Sequence, residues 1–234
     1  MAPARVTLVL PAYNEAGRLE GALDELFGYL DRTPELGERL DVLIVDDGST
    51  DGTLDIAARR PEAQPLGAAP ARLTTMRVAH AGKGAAVRAG MLAATGERVI
   101  FSDADMATPP DQLPILLAAL DRADVALGSR IQPDGTDLRA SQPPLRRVLG
   151  RVFHALAALW VTGPIRDTQC GFKGFRHEVA QDLFGRQRVT SIVFDVELIY
   201  LARRRDYRIE VVPIRWSDVR GSRMQARPAL ALRV

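Results

Sequence analysis

The sequence predicts a single α/β domain in which a mostly parallel central sheet is flanked by helices. Short apolar segments rich in β-branched residues alternate along the chain with longer segments of helical periodicity. This alternation is typical of parallel strands joined by right-handed helical crossovers. With 234 residues, of which 47% are hydrophobic and 26% charged, the chain can bury one sizeable core. We expect the domain to cover residues 1–215, with a basic C-terminal tail at 216–234.

The predicted elements begin with a strand at residues 5–10, which Pro11 stops, and a helical pattern from Asn14 to about Asp31. Residues 60–71 are interpreted as a surface loop, and residues 166–173 as a polar run that ends near an aromatic residue. The remaining elements alternate between strand and helix patterns. Strands are predicted at 41–45, 73–78, 97–101, 124–127 and 209–214, and helices at 82–94, 111–120, 145–160 and 194–205.

Polar side chains follow three of these strands at the point where each strand ends. Asp46 and Asp47 follow the second strand, Asp103 and Asp105 follow the fourth, and a Gly-Ser-Arg run that ends at Arg130 follows the fifth. Ligands of parallel α/β sheets bind outside the carboxyl ends of the strands. The sequence therefore predicts a ligand site at that edge of the sheet.

Asp103 and Asp105, in the stretch VIFSDAD, are candidate metal ligands. Side chains at i and i+2 of an extended segment point the same way, so both carboxylates can converge on one hard cation. A divalent cation there would hold a diphosphate. The alternative is that both are turn residues, because Asp is common where a strand gives way to a loop. The three-residue pattern alone favours neither interpretation.

A second phosphate-binding candidate is the run Gly82-Lys83-Gly84 at the start of an alanine-rich helix. Glycines at a helix N-terminus let backbone amides approach a phosphate. The run lacks the full Walker spacing, so it is not a P-loop. Close packing of the helix is the alternative explanation for these glycines, and it is the one we favour.

The charge distribution bears on partners more than the net charge does. Lys and Arg number 31 and Asp and Glu 29, a net charge of +2 that gives no argument for nucleic acid. Arginines cluster at residues 139–151 and 203–233, where they could face phosphates or an anionic membrane surface, although solvated helix faces more often explain such runs. Cys170 is the single cysteine, so no intrachain disulfide can form.

No secretory signal pattern stands at the N-terminus, and no apolar run reaches the roughly 18 residues of a membrane span. The 145–160 helix could therefore lie on a membrane surface, but it should not cross a membrane. The oligomeric state of the protein is left open.

Seven motifs in order carry a resemblance over almost the whole chain. They are PAYNE at 11–15, VDDGSTDGT at 45–53, DAD at 103–105, GSR at 128–130, DTQCGFKGF at 167–175, FDVEL at 194–198 and GSR at 221–223. The chain resembles the metal-dependent, inverting family 2 nucleotide-sugar glycosyltransferases, whose GT-A fold is Rossmann-like. More closely it resembles the polyprenyl-phosphate sugar branch, the dolichyl-phosphate glucosyltransferase and dolichyl-phosphate mannose synthase group. DTQCGFKGF and FDVEL favour the glucosyl type.

The resemblance implies a nucleotide-sugar donor and Mg²⁺ or Mn²⁺ as cofactor. The metal would hold the donor diphosphate and stabilise the leaving nucleoside diphosphate as a Lewis acid. Mannosyl-type relatives carry a glutamine as a further metal contact where this chain has Ala107. The implied donor-site residues are Pro11, Tyr13 and Glu15 in the nucleoside pocket, Asp46 and Asp47 on base or ribose, Lys83, and Asp103 and Asp105 as metal ligands.

The implied acceptor is a polyprenyl phosphate. A lipid acceptor implies a cytoplasmic protein that is peripheral on the cytosolic face of a membrane, with the 145–160 helix and the basic tail as its contacts. The second pKa of the acceptor phosphate, about 6, means that it arrives ionised and can attack the anomeric carbon without a general base, inverting an α-linked donor sugar. The basic and polar residues implied around the acceptor phosphate are Arg130, Arg146, Gln169 and Arg223. Arg146 has the alternative of a solvated surface arginine.

Asp195 is carried as a catalytic candidate together with Asp103, Asp105 and Arg130. Asp195 and Glu197 stand where other family 2 enzymes place a base, and Asp195 alternatively only orients the acceptor loop. The implied reaction moves glucose from UDP-glucose to the lipid phosphate. Its alternatives are mannosyl transfer from GDP-mannose to the same acceptor, and transfer to a hydroxyl acceptor.

Three other classes of protein could also explain these clusters of carboxylates at strand ends. A haloacid-dehalogenase-type phosphatase would use Asp103 as nucleophile, but it expects Thr or Val at position 107 and a place near the N-terminus. A receiver-like domain would be about half this length, with its acidic pair after the first strand. A non-catalytic sugar-nucleotide binding protein would share the site without turnover.

Overall fold

The computed structural model describes residues 4–65, 72–138, 165 and 167–217. Within these residues one seven-stranded sheet has the spatial order β3-β2-β1-β4-β6-β5-β7. The strands are β1 Val6–Ala12, β2 Leu40–Asp46, β3 Leu73–Arg77, β4 Arg98–Ser102, β5 Val125–Ser129, β6 Phe172–Arg176 and β7 Ile209–Pro213. The helices are α1 Leu19–Asp31, α2 Pro34–Gly37, α3 Thr53–Arg59, α4 Lys83–Ala93, α5 Leu113–Leu120, α6 His177–Arg186 and α7 Phe194–Arg204.

The sheet is mostly parallel, as predicted. β1 pairs in parallel with β2 and β4, β2 with β3, and β5 with β7. β6 alone is antiparallel, inserted between β4 and β5. The carboxyl ends of the parallel strands therefore meet at one edge, and the residues that lead into β6 lie at the same edge.

Apolar cores lie on both faces of the sheet because successive side chains of a strand point to opposite faces. Leu8 and Leu10 of β1 belong to the core that α1 and α5 cover. Val9 belongs to the core on the other face, with residues of α4, α6 and α7. Each fully buried side chain of this kind stabilises the fold by about 1.5–3 kcal/mol relative to exposure.

The first loop departs from its prediction at both ends. Pairing of β1 with β4 ends at Val9, but pairing with β2 continues to Ala12, so the prediction that Pro11 stops the strand is wrong. A proline is tolerated where one ladder has already ended. The predicted helix start at Asn14 is also wrong, because Asn14 has a φ of 53° and the helix begins at Leu19.

The polar run predicted at residues 166–173 was given no strand, but β6 begins within it at Phe172. Helix α6, which follows β6, was not predicted either. Lys173 and Gly174 interrupt the apolar pattern by which buried strands are recognised in a sequence. Lys173 is nevertheless fully buried.

Several sequence predictions fall outside the described residues: the 145–160 helix with Arg146, and Arg223 with most of the predicted tail. Residues 216 and 217 of that tail are described, and the Ser217 N–H donates to the Ala107 carbonyl at 3.0 Å. No helix in the described part of the chain is both long and apolar enough to cross a membrane.

Candidate active site

The loops after β1 and β2 are bonded to each other at the carboxyl edge of the sheet. The Asn14 N–H donates to the Ser49 hydroxyl at 2.8 Å, and the Thr50 N–H returns a bond to the Asn14 side-chain oxygen at 2.8 Å. The Glu15 N–H donates to the Thr53 hydroxyl at 2.8 Å. Two motifs that are far apart in sequence thus form one side of the site.

Asp46 and Asp47 hold these loops from inside. The Asp46 carboxylate is fully buried and accepts the Ser49 N–H at 3.1 and 3.2 Å. The Asp47 carboxylate, 4% exposed, accepts the N–H groups of Ala81 and Gly82 at 2.9 and 3.0 Å. Asp46 thus holds the turn after β2, and Asp47 sets the position of the loop before α4. Their contact with base or ribose stays a prediction.

Tyr13 stands at the surface of this side of the site, 43% exposed. Its ring stacks on the His80 ring, with centroids 4.3 Å apart and planes 21° apart. The stacked pair is an exposed, flat aromatic surface. The place of Tyr13 in the nucleoside pocket stays a prediction. Sequence analysis identified Tyr13 but missed His80, a lone histidine with no motif of its own. Arg18 donates from Nε and Nη2 to the two carboxylate oxygens of Glu15, each at 2.8 Å. The contact of Glu15 with the nucleoside stays a prediction.

Lys83 and Asp103 form an ion pair at the mouth of the site, with Lys83 Nζ 2.5 Å from Asp103 Oδ1. The two side chains are 32% and 38% exposed. Desolvation lowers the pKa of Lys83, but the negative charges of Asp103 and Asp195 outweigh it and leave this pKa above its usual range. The structure thus joins the predicted phosphate-binding lysine to the predicted metal carboxylate.

The two alternatives for the glycines beside Lys83 are resolved in favour of close packing at Gly84. The Gly84 N–H donates to the Thr190 carbonyl at 2.8 Å. A Cβ on Gly84 would lie 2.8 Å from that oxygen and 2.9 Å from Phe194 Cβ. Gly82 has a φ of 100°, which an L side chain rarely adopts.

Asp105 lies in the same turn as Asp103, where Met106 adopts a φ of 52°. One oxygen of Asp105 accepts the Ala107 N–H at 3.1 Å, and the other lies 3.9 Å from Arg18 Nη1. Burial and the negative charge of Asp103 raise the pKa of Asp105. The two carboxylates therefore lie close enough to repel each other.

This pair of carboxylates fits a divalent cation. A cation would relieve their repulsion, and carboxylate oxygens are what Mg²⁺ and Mn²⁺ prefer. Among the described residues no group of three or more His, Cys, Asp or Glu side chains is placed to hold a metal. The remaining ligands would thus be diphosphate oxygens or water, as Mg²⁺ commonly takes.

The residues that lead into β6 pack against Asp103 and fix its position. The Asp103 N–H donates to the Gly171 carbonyl at 3.1 Å. A Cβ on Gly171 would lie 2.2 Å from Asp103 Oδ2 and 2.6 Å from Oδ1. Only a residue without a side chain leaves room for this carboxylate.

Arg130, at the end of β5, is held by Asp167. Its Nε and Nη2 donate to the two oxygens of Asp167 at 2.9 and 2.6 Å, and its backbone N–H donates at 2.8 Å. Desolvation lowers the pKa of Arg130, but the bonds and charge of Asp167 raise it by more. The remaining guanidinium N–H groups are oriented by this fork and stay cationic. The negative charge of Asp103 also raises the pKa of Arg130. Gln169, in the same loop as Asp167, is exposed.

Asp195 is buried inside the protein and does not lie in the open part of the site. Its side chain is 4% exposed and lies 2.5 Å from Nζ of the fully buried Lys173. Burial raises the pKa of Asp195 more than the charge of Lys173 lowers it. Glu197 accepts the N–H groups of Arg188 and Val189 at 2.8 to 3.0 Å. Both acids are thus engaged within the fold.

Lys173 also connects Asp195 to the loop that packs against Asp103, because the Lys173 ammonium donates to the Cys170 carbonyl at 2.5 Å. Sequence analysis missed Lys173 as a partner of Asp195. The signal that could have found it is a lysine inside an otherwise apolar FKGF run, which needs a buried partner.

Comparison with known proteins bears directly on this site. Residues 7–184 match the family model described as Glycosyl transferase family 2. A dolichyl-phosphate beta-glucosyltransferase of Drosophila melanogaster is 37% identical over 230 residues, which cover 94% of this chain and 69% of that protein. A dolichyl-phosphate beta-glucosyltransferase of Trichomonas vaginalis is 36% identical over 231 residues, covering 94% of this chain and 66% of that protein. The chain thus spans about two thirds of the length of these relatives.

Solved structures share the fold. A mannosyltransferase from Pyrobaculum calidifontis, in complex with GDP-Man and Mn²⁺, aligns with a TM-score of 0.60 and 25% identity, over 90% of this chain and 55% of that one. Glucosyl-3-phosphoglycerate synthase from Mycobacterium tuberculosis aligns with a TM-score of 0.66 and 22% identity, over 94% and 73%. The predicted GT-A architecture is confirmed.

Proposed function

The chain belongs to glycosyl transferase family 2, and from that premise we propose that it transfers glucose from UDP-glucose to a polyprenyl phosphate of the dolichyl type. The product is a β-linked lipid phosphate sugar. The family predicted from the seven motifs is confirmed, and the names of the relatives support the sugar and the acceptor.

The observation that carries the choice of acceptor is the burial of Asp195 against Lys173. A hydroxyl acceptor needs a general base within reach of its proton. Asp195 and Glu197 are the acids that the sequence nominates for that role, and both are engaged inside the fold. A phosphate acceptor needs no base, since it is already ionised near neutral pH.

The donor side rests on Asp103 and Asp105, which we propose hold Mg²⁺ or Mn²⁺ against the diphosphate. The mannosyltransferase that shares the fold was solved with Mn²⁺ and a nucleotide sugar, which supports a divalent cation here. When bound, the cation supplies Lewis-acid stabilisation of the leaving nucleoside diphosphate. Tyr13 offers its ring to the base, and Lys83 lies close enough to Asp103 to exchange that carboxylate for a donor phosphate oxygen.

The protein's own residues then neutralise and align two anions. Arg130, held in orientation by Asp167, presents its remaining N–H groups to the acceptor phosphate. The phosphate oxygen attacks the anomeric carbon as the bond to the nucleoside diphosphate breaks, which inverts the α-linked sugar. Alignment and charge stabilisation account for the rate enhancement.

We also propose that Arg146, Gln169 and Arg223 help to bind the acceptor phosphate, and that the enzyme works as a peripheral protein on the cytosolic face of a membrane. The lipid nature of the acceptor and the arginine-rich segments at 139–151 and 203–233 support this. Recovery of all of the protein in the soluble fraction at low salt would contradict the membrane location.

The test is transfer of labelled sugar from UDP-glucose, with GDP-mannose in parallel, to a short polyprenyl phosphate with and without Mg²⁺ or Mn²⁺. We expect a metal-dependent, acid-labile lipid product from UDP-glucose. Asp105→Ala should lose it. Asp121→Ala is the matched control, since Asp121 is 73% exposed and pairs with Arg98 at the opposite end of β4.

Each of the other possible outcomes would overturn a different part of the proposal. Product from GDP-mannose alone would replace the donor. If labelled sugar reaches a hydroxyl acceptor and no lipid phosphate is labelled, the acceptor assignment falls. Equal activity of Asp105→Ala and wild type would overturn the metal site.

A further inference from the structure

Residues 214–217, which we call the C-terminal brace, follow β7 and run along the carboxyl edge of the sheet. The Ile214 N–H donates to the Ser129 carbonyl at 2.9 Å. The Arg215 N–H donates to the side-chain oxygen of Gln112 at 3.0 Å. The brace is thus attached both to the end of β5 and to the turn before α5.

The brace then contacts two separate parts of the site. The indole of Trp216 lies over the Arg130 guanidinium, with 5.5 Å from Cζ to the ring centroid. The Ser217 N–H donates to the Ala107 carbonyl at 3.0 Å, and the Ala107 N–H donates to Asp105 at 3.1 Å. One short segment therefore reaches both the arginine proposed for the acceptor and the loop proposed for the metal.

The contact with Trp216 complements the one with Asp167. Asp167 fixes the edge of the Arg130 guanidinium through two hydrogen bonds, while the indole fixes its face. Arg130 is 12% exposed at its side chain, so its remaining N–H groups are held in one direction. A guanidinium held in this way loses little conformational entropy when it binds an anion.

We propose that Trp216 is a positioning residue for the acceptor phosphate, acting through Arg130, and that the Ser217 backbone positions the metal loop through Ala107. The inference rests on the proposed function and deepens it. The predicted boundary at 215/216 then falls inside the working site, because the first two residues of the predicted tail hold its parts together.

The first experiment compares Trp216→Ala with Trp216→Phe. We expect Trp216→Ala to raise KM for farnesyl phosphate about tenfold with a smaller change in KM for UDP-glucose, since one aromatic contact to a cation is lost. Trp216→Phe keeps a ring over Arg130 and should stay within about threefold of wild type. Unfolding in urea, measured on both variants, reports any loss of the fold.

Tyr200→Ala is the matched control. Tyr200 lies 5.8 Å from the Arg204 guanidinium on α7, so this variant loses the same kind of contact away from the site. Its KM for farnesyl phosphate should be unchanged. An unchanged KM in Trp216→Ala, or an equal rise in Tyr200→Ala, would overturn the role of Trp216.

The second experiment measures Mn²⁺ binding directly, from the electron paramagnetic resonance signal of free Mn²⁺ in the presence of UDP. Ser217→Pro removes the N–H that bonds Ala107, while Ser217→Ala keeps it. We expect Ser217→Pro to weaken Mn²⁺ binding about tenfold, the lower end of the effect of losing a group that orients a metal ligand. Equal Mn²⁺ affinity of the two variants would overturn the role of the Ser217 backbone.

The failure of this inference is distinguishable from that of the proposed function. Wild type that labels no lipid phosphate overturns the proposed acceptor and with it the role of Trp216. Wild type that labels the lipid, beside a Trp216→Ala variant with unchanged KM, overturns the inference alone. The Mn²⁺ measurement stands in either case because it needs no acceptor.

Discussion

This fold contains two lysine–aspartate ion pairs that have the same N–O distance but different surroundings. Lys83 and Asp103 are 2.5 Å apart, with side chains 32% and 38% exposed. Lys173 and Asp195 are also 2.5 Å apart, with side chains 0% and 4% exposed. The distance is the same, so the difference lies in what can replace each partner.

The exposed pair is exchangeable. Water solvates both of its members when they separate, and a surface ion pair contributes only about 0–1 kcal/mol to stability. A cation can therefore take Asp103 and a phosphate can take Lys83 at little cost. The buried pair has no such freedom, because either charge left alone in the core is strongly unfavourable. The first pair is suited to bind ligands, and the second to hold the fold.

The largest expected effect comes from breaking each pair in the same way. Lys173→Met leaves Asp195 buried without its partner and should lower the free energy of unfolding by about 3–5 kcal/mol. Lys83→Met should lower it by less than about 1 kcal/mol and yet reduce glucosyl transfer. Urea unfolding of both variants, with transfer assays, measures this contrast.

The double variant Lys173→Met/Asp195→Leu is the control for the buried pair. It removes both charges and should recover most of the lost stability. If Lys173→Met is no less stable than Lys83→Met, the distinction between the pairs is wrong.

The next effect concerns Gly171, which connects the two pairs because it follows the Cys170 carbonyl bonded by Lys173 and packs on Asp103. In Gly171→Ala the new Cβ would occupy space 2.2 Å from Asp103 Oδ2, so the carboxylate must move. We expect transfer to fall about 100-fold, as when a group that positions the substrate is displaced by about 1 Å. Stability should fall by about 1–3 kcal/mol from overpacking.

Gly185→Ala in α6 is the matched control, because a Cβ at Gly185 meets nothing within 4 Å. The higher helix propensity of alanine should leave this variant as stable as wild type or more so. Transfer by Gly171→Ala at the wild-type rate would show that Asp103 has room to move without loss.

The same two pairs show how far the sequence could lead. Asp103 was predictable because it follows a buried strand, and a strand end locates a side chain at the edge of a parallel sheet. The pairing of Lys83 with Asp103 follows from that same rule, since the lysine begins the helix after β3. Local pattern and topology suffice for groups at the edge.

The roles of Lys173 and Asp195 were not predictable in this way. They are 22 residues apart, on β6 and α7, and their contact depends on an antiparallel strand inserted into a parallel sheet. Lys173 also breaks the apolar pattern that would have revealed that strand. Burial is a property of the assembled fold, so the sequence could name Asp195 as a candidate base but could not show that its carboxylate is buried in an ion pair with Lys173.

The smallest expected effect is a pH dependence of stability that comes from the buried region around Lys173. Burial raises the pKa of the Cys170 thiol to about 12, from an ordinary value of 9.0. A group whose pKa is raised by folding contributes stability that is present below its unfolded pKa and is lost as the pH rises toward its folded pKa. Between pH 9.0 and about 12 the unfolded chain releases this proton and the native protein retains it.

As the pH rises across that window, the contribution of Cys170 to the free energy of unfolding should therefore fall by about 1.4 kcal/mol per pH unit. The measurement is the unfolding free energy of wild type and Cys170→Ala from pH 8 to about 10.5, because the difference between the two removes every other titrating group. We expect the advantage of wild type to shrink as the pH rises. A constant difference would mean that the thiol reaches water in the native state, and that the region around Lys173 is as open as the site around Lys83.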